Sequence, residues 1–364
     1  MKQLAILIIV SFLLILKYLF NSPKLSNNEL LFFSNYSQLI ALILSITFAT
    51  IIIYFYDFIE NDVLIFLFFS INILLLIALG IDLLGREEYG SIRRIYITNE
   101  LSIQPSEILK FPILLTTALL FKKFHNKQIL LIGLLLVIYL LPIILIQLQP
   151  NTSTALLFSA YFTVSVFLCG VTYRALFTML LSIFALLPMV VTFFVAEYQF
   201  GRVSAFANPE VDPLGLSYIP NLVNNAVNSS GFIGPGSIES VNSFLFNVLA
   251  ADSDFALAVI IEQLGFIILI VIIVAFLFIL WIGTSIAFNA DTRFQFLSTI
   301  LATYIIVIQA TLHIMVNMSL LPTTGTTLPF ISNGSNSLIV NFALLGIIIG
   351  TERKNKLKRN FQKF

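Results

Sequence analysis

Charge is the first scarcity. Asp, Glu, Lys and Arg supply 10% of the 364 residues, against roughly 25% in an ordinary soluble domain. Apolar residues supply 59%, Phe alone fills 36 positions, and mean hydropathy is +1.01. Too little polar surface is left to cover a water-soluble globule of this length. One Cys, Cys169, lies in an apolar run, which excludes a disulfide scaffold and a Cys-ligated metal cluster. The two His, His125 and His313, are far apart and leave little room for a His-rich metal site. The patterns GxxxxGK[ST], GxGxxG and HExxH are all missing, so ATP-driven transport and zinc hydrolysis lack support. With 19 basic and 18 acidic residues the formal charge is +1, and nothing points to nucleic acid. What remains is an all-α polytopic membrane protein.

A helix needs about 20 apolar residues to cross a bilayer core of about 30 Å. Ten stretches qualify, near 3–20, 37–57, 63–84, 106–121, 128–148, 153–170, 174–196, 256–288, 294–318 and 336–351. The first follows Lys2, and no small-x-small cleavage site comes after Phe20, so it reads as a retained span. The fourth and tenth are short. The eighth is long enough to tilt or to begin in the interface. Residues 1–351 then form one ten-helix membrane domain, and 352–364 a basic cytoplasmic tail.

Orientation follows the Lys and Arg positions. With the N-terminus in the cytosol, twelve of the 19 basic residues fall inside: Lys2, Lys122, Lys123, Lys127, Arg174, Arg293, Arg353, Lys354, Lys356, Lys358, Arg359 and Lys363. Five fall outside (Lys24, Arg86, Arg93, Arg94 and Arg202), and Lys17 and Lys110 lie within spans. Both termini are therefore expected in the cytoplasm. Two outside segments are long, 85–105 and 197–255. The second, between helices 7 and 8, carries Gly, Pro, Asn and Ser clusters with short apolar stretches. It reads as interfacial helices and loops.

Polar groups at bilayer depth are costly and so informative. Glu107 and Lys110 open the fourth span in QPSEILKF, three apart on one helical face. They form either a structural ion pair or part of a polar cavity. Glu262, in AVIIEQLGF, either snorkels to the surface or lines such a cavity. His313 suits an interhelical hydrogen bond better than a ligand role. In LAADSDFALAV, Asp252 or Ser253 could cap the helix that follows, while Asp254 at the membrane edge could serve as a general base; spacing favours the cap. The uncharged segment LLPTTGTTLPFISNGSNSL, 320–338, is either a hydroxyl-rich binding loop or a plain re-entrant turn.

Four segments in order resemble the SEDS family (shape, elongation, division and sporulation), the RodA and FtsW type of bacterial cell-wall proteins. SIQPSEILK at 102–110 is similar to its QPSE element, and LQPNTSTAL at 148–156 to its LQPDxGTAL. ADSDFALAVIIEQLGF at 251–266 matches HTDFxFAVxxEExGF without a gap. LLPTTGTTLPFISNGSNSL is similar to LPxxGxxLPFxSxGGSS. The sequence departs from the pattern at several positions. The Trp after the first-loop Arg is missing, with Ile95 following Arg94. Ala250 and Asp252 replace a Glu and a His, Asn151 replaces the Asp of LQPD, and NGSNS stands at 333–337.

The resemblance implies a peptidoglycan glycosyltransferase of the bacterial cytoplasmic membrane, polymerising lipid II at the outer face beside a class B penicillin-binding protein. Asp254 occupies the position of the family's catalytic carboxylate. Glu107 and Lys110 match an ion pair of the central cavity. Arg93, Arg94 and Arg202 are outside cations available to the undecaprenyl diphosphate leaving group. Gln104, Ser106, Glu262, Thr327, Pro329 and Ser332 are the other expected cavity or substrate-binding side chains. No resident cofactor is implied, and a divalent cation (Mg or Mn) stays open. Two rival expectations are a flippase for a lipid-linked precursor and a weakly active scaffold that activates its penicillin-binding partner.

Overall fold

The computed structural model describes residues 2–20, 28–80, 85, 92–97, 102–170, 197–208, 210, 212–213, 215–234, 245, 248 and 251–361. The expected seventh span, 174–196, lies outside them. The helices are α1 (Lys2–Phe20), α2 (Asn28–Tyr54), α3 (Tyr56–Ile59), α4 (Asp62–Gly80), α5 (Pro105–Ile108), α6 (Lys110–Phe124), α7 (Gln128–Leu148), α8 (Thr152–Leu168), α9 (Glu197–Ala207), α10 (Tyr218–Ser229), α11 (Ala251–Asp254), α12 (Ala256–Leu264), α13 (Ile267–Ala287), α14 (Arg293–Asn317) and α15 (Ser335–Phe361). Strands β1 (Ile95–Tyr96) and β2 (Ser102–Ile103) pair antiparallel, Ile95 opposite Ile103. Among the described residues, six helices, α1, α4, α7, α13, α14 and α15, are long and apolar enough to cross a membrane, and α8 and the Gln38–Tyr54 part of α2 are shorter apolar helices. Helices close all their backbone hydrogen bonds internally, which the bilayer core demands.

The chain divides into two compact units. The first comprises 1–40, 196–281 and 307–335; the second comprises 41–195, 282–306 and 336–364.

In the first unit the expected long eighth span is two helices. Gly265 interrupts the run with φ +79°, a left-handed conformation that Gly adopts without penalty. A turn from the preceding loop locks the break: Phe266 N donates to Gly231 O and Ile267 N to Phe232 O, both at 3.0 Å. Gly234 and Gly265 face each other so closely that a Cβ on Gly265 would lie 2.3 Å from Gly234 N. No Pro marks the break, so the largely apolar run masks it.

In the second unit α4, α6, α7 and α8 pack together. A hydroxyl chain runs through their interior: Thr117 Oγ1 donates to Tyr139 Oη at 3.3 Å, and Tyr139 Oη lies 2.7 Å from Ser165 Oγ. The expected fourth span is divided at Leu109 into α5 and α6. Close approach of α15 to α2 depends on Gly346 and Gly350, a small-xxx-small pair. A Cβ on Gly346 would meet Ala49 O at 3.1 Å, and one on Gly350 the Tyr56 ring at 2.5 Å.

Helix α15 runs on into the expected basic tail as far as Phe361. Its basic residues engage loops sorted to the same side by the positive-inside count. Lys354 pairs with Asp57 at 2.6 Å, Lys358 with Asp291 at 3.3 Å, and Arg353 stacks on Tyr54 with 4.1 Å to the ring centroid. Lys123 pairs with Asp62.

Candidate functional site

In the first unit, the DSD segment meets the 320–334 loop. The short helix α11 ends at Asp254 and a bend at Phe255 leads into α12. Phe255 is the N-cap of α12 and contributes no side-chain bond. The free N–H of Ala258 is satisfied from elsewhere, by Asn317 Oδ1 at 3.1 Å. The capping expected of Asp252 or Ser253 is thus performed by a residue of α14. Asp252 is held by Asn333, whose backbone N donates to Asp252 O at 2.9 Å and whose Nδ2 donates to Asp252 Oδ2 at 2.8 Å.

Three residues one turn apart on α14 hold consecutive parts of the site. Gln309 Nε2 donates to Thr327 O and Oγ1, each at 2.9 Å. His313 Nδ1 lies 2.7 Å from Thr326 O, and because a carbonyl only accepts, this nitrogen carries the proton. Asn317 Nδ2 donates to Asp254 O at 3.1 Å and to His313 O at 3.0 Å. The i, i+4, i+8 spacing gives one face, so the register of α14 fixes where the loop lies against Asp254.

The loop closes on itself as well. Ile331 N and Ser332 N donate to Leu328 O, while Leu328 N donates to Ser332 Oγ at 2.8 Å. This turn carries buried Phe330 with φ +67°, a conformation that costs a bulky residue roughly 1–2 kcal/mol. Ser332 Oγ in turn donates to Ser253 O at 2.6 Å. Its backbone carbonyl accepts from Lys17 Nζ of α1 at 3.2 Å, and at the other end Arg202 Nη1 of α9 donates to Thr323 O at 3.4 Å.

Within this frame the Asp254 carboxylate is half-buried and accepts from Ser253 Oγ at 3.2 Å. Gly325, exposed, lies over it, and a Cβ there would be 3.3 Å from Asp254 Oδ2. The loop on either side of Gly325 carries Thr323, Thr324, Thr326 and Thr327, with Thr324 and Thr326 Oγ1 3.2 Å apart. Such an arrangement suits a carboxylate that takes a proton from a sugar hydroxyl. Of the expected site residues, Asp254, Thr327 and Ser332 meet here. Pro329 is buried in the same loop, and Glu262 is buried on α12. Among the described residues, no group of three His, Cys, Asp or Glu is placed to hold a metal ion.

The remaining expected residues fall in the second unit. Glu107 Oε2 and Lys110 Nζ pair at 2.7 Å, with Lys110 1% exposed and Glu107 14%. Gln104 Nε2 donates to Ser106 Oγ at 3.3 Å, and Asn336 Nδ2 donates to Ser102 O of β2 at 2.9 Å. Arg93 is anchored by Gln149 O at 3.0 Å and by Pro150 O, whereas Arg94 is exposed. Asn151, at the departed Asp position, caps α8 through Thr154 N at 3.4 Å.

Lys17, Gln309, Asn317, Gly325 and Asn333 were not singled out from the sequence. Lys17 carried a signal, a cation inside an apolar span, as did the 309–313–317 polar repeat.

The sequence matches the FtsW, RodA and SpoVE profile, described as cell cycle protein, over residues 1–357. A probable peptidoglycan glycosyltransferase FtsW of Borreliella burgdorferi is 31% identical over 284 residues, 77% of each chain. The peptidoglycan glycosyltransferase MrdB of Escherichia coli K12 is 28% identical over 294 residues, 79% of this chain and 78% of that one. A solved peptidoglycan synthase complex, described as coordinating polymerization and crosslinking, superposes with TM-score 0.79 at 24% identity, covering 96% of this chain and 97% of its own. The rod shape determining protein RodA of Thermus thermophilus superposes with TM-score 0.68 at 20% identity, covering 96% of each chain. The chain is a multi-pass membrane protein and belongs to the FtsW, RodA and SpoVE family of cell cycle proteins.

Proposed function

We propose that the chain is a peptidoglycan glycosyltransferase that polymerises lipid II at the outer face of the bacterial cytoplasmic membrane, with Asp254 as base. Curated relatives bearing the name peptidoglycan glycosyltransferase support the activity. The observation that carries the assignment is the seating of Asp254. Its backbone is fixed by Asn317, its neighbours bind Asn333 and Ser332, and its carboxylate lies beneath exposed Gly325.

The base takes the proton of the acceptor sugar's 4-hydroxyl as that oxygen attacks the anomeric carbon of the lipid-linked donor. The bond from that carbon to the undecaprenyl diphosphate breaks, and the diphosphate leaves with its electron pair. Arg202, anchored at Thr323 O, is the first-unit cation suited to the departing charge; Arg93 and Arg94 are the second-unit candidates. Glu107 and Lys110 keep a buried polar pair neutral in α5 and α6, shaping a cavity wall. No metal enters this scheme, and a divalent cation bound with the diphosphate is compatible with it.

The topology belongs to the same reading: ten spans, both termini cytoplasmic, and the DSD segment outside. Ion pairs joining the α15 end to Asp57 and Asp291, and Lys123 to Asp62, support placing those loops on one side. A class B penicillin-binding protein is the proposed partner, supported by the likeness to a synthase complex that crosslinks its product.

Purified protein, alone and with that partner, incubated with lipid II tests the reading. Long glycan strands are expected; failure to form polymer under both conditions contradicts it.

A further inference from the structure

Phe232 and Ile233 form the tip of the turn that follows α10, flanked by Gly231 and Gly234. They are 61% and 75% exposed. A single exposed apolar side chain is ordinary, and this adjacent pair gains its meaning from where it is fastened. Gly231 O and Phe232 O accept from Phe266 N and Ile267 N, each at 3.0 Å. Ile267 begins α13, which is long and apolar enough to cross a membrane. The tip therefore lies at the depth where that span starts. Ile267 is itself exposed, and beyond it α13 carries exposed Ile270, Val271 and Val274, a side that a spanning helix turns to lipid.

The segment suits that depth. No Asp, Glu, Lys, Arg or His lies between Asp212 and Glu239, so no charge has to enter the bilayer with the tip. Polar groups there must be bonded within the protein. Besides the two carbonyls, Ser229 Oγ donates to Ala226 O at 3.2 Å and Ser230 Oγ to Val227 O at 2.7 Å. Helix α10 buries Val223, Ala226 and Val227 and packs on α12, while its Asn224, Asn225 and Asn228 are exposed. The surface thus passes from amides at Asn228 to apolar side chains at Phe232, as a bilayer interface requires. We propose that Phe232 and Ile233 insert among the acyl chains of the adjoining leaflet and anchor the 197–255 loop to the bilayer. That this leaflet is the outer one rests on the proposed topology; the insertion itself does not. The anchor lies at the Gly265 break, and α12, nine residues and about 14 Å long, joins that break to the bend after Asp254. The DSD segment is therefore held within one short helix of the membrane.

Tryptophan fluorescence of the full-length protein in phosphatidylcholine vesicles reads the depth of the tip. Trp281 is the sole Trp, so Phe232→Trp in a Trp281→Phe background carries one reporter. Insertion by about 5–10 Å predicts emission shifted to the blue, quenching by lipids brominated near the headgroup end of the chain, and little quenching by aqueous iodide. Asn225→Trp in the same background is expected to show the reverse. Iodide quenching of the Phe232→Trp protein equal to that of the Asn225→Trp protein, with brominated lipid without effect, overturns the proposal. Protection from both quenchers places protein over the tip and overturns it too. So does a blue shift that arises only when lipid II is added, which assigns the tip to the substrate's polyprenyl chain. Should Phe232→Trp fail to fold by thermal unfolding and gel filtration, Ile233→Trp supplies the reporter, with the same outcomes. The readout needs no catalysis: failure to polymerise lipid II strikes the proposed activity, and the quenching alone decides the anchor.

Discussion

One amide of Asn317 serves two elements: Nδ2 donates to Asp254 O at 3.1 Å while Oδ1 accepts from Ala258 N at 3.1 Å. The end of α11 and the start of α12 are therefore registered to α14 by one side chain. Replacing Asn317 with Leu removes both bonds and leaves a buried N–H without its acceptor. A cost of about 1–3 kcal/mol is expected, seen as a lowered Tm. The rate of lipid II polymerisation should fall more than substrate binding weakens, because the base moves while the loop bonds of Gln309 and His313 persist.

Gly325 separates geometry from stability. A Cβ there lies 3.3 Å from Asp254 Oδ2, and the position is exposed. Gly325→Val should leave the unfolding free energy within about 0.5 kcal/mol of the parent, as expected for an exposed site, and depress polymerisation by crowding the carboxylate. Gly325→Ala should be milder. Unchanged kinetics in the Val variant count against Gly325 forming the roof of the site.

The Glu107–Lys110 pair makes a different prediction. Lys110 is 1% exposed, so Glu107→Ala takes the paired carboxylate from a buried cation and should lower stability in thermal unfolding. The double variant Glu107→Leu/Lys110→Met removes both charges and should recover most of that loss in thermal unfolding. If it also polymerises lipid II normally, the pair is structural.

At the helix break, Gly265→Ala asks a residue with a Cβ to adopt φ +79° with Gly234 N 2.3 Å away. Backbone strain alone costs about 1–2 kcal/mol, and the clash adds to it. Unfolding measurements should show a larger loss than for Gly325→Ala.

What the sequence disclosed divides along local and non-local lines. Apolar length located α1, α4, α7, α13, α14 and α15, since bilayer thickness imposes it. The run 256–288 concealed the break at Gly265, because the clamp comes from Gly231 to Gly234, more than thirty positions earlier. The DSD segment was visible, yet spacing favoured a cap. Only the fold reveals that Asn317 caps α12 and that Asn333 occupies Asp252. Lys17 was visible as an intramembrane cation, but its acceptor, Ser332 O, lies 315 positions away in sequence. The resemblance located Asp254, and the surrounding α14 ladder had to be seen.

The most direct test is Asp254→Asn. This near-isosteric change keeps the backbone bond to Asn317 and removes the proton acceptor. Purified variant with unchanged thermal unfolding should yield no glycan strands from lipid II, alone or with its partner. Strand synthesis at the parent rate would contradict the account.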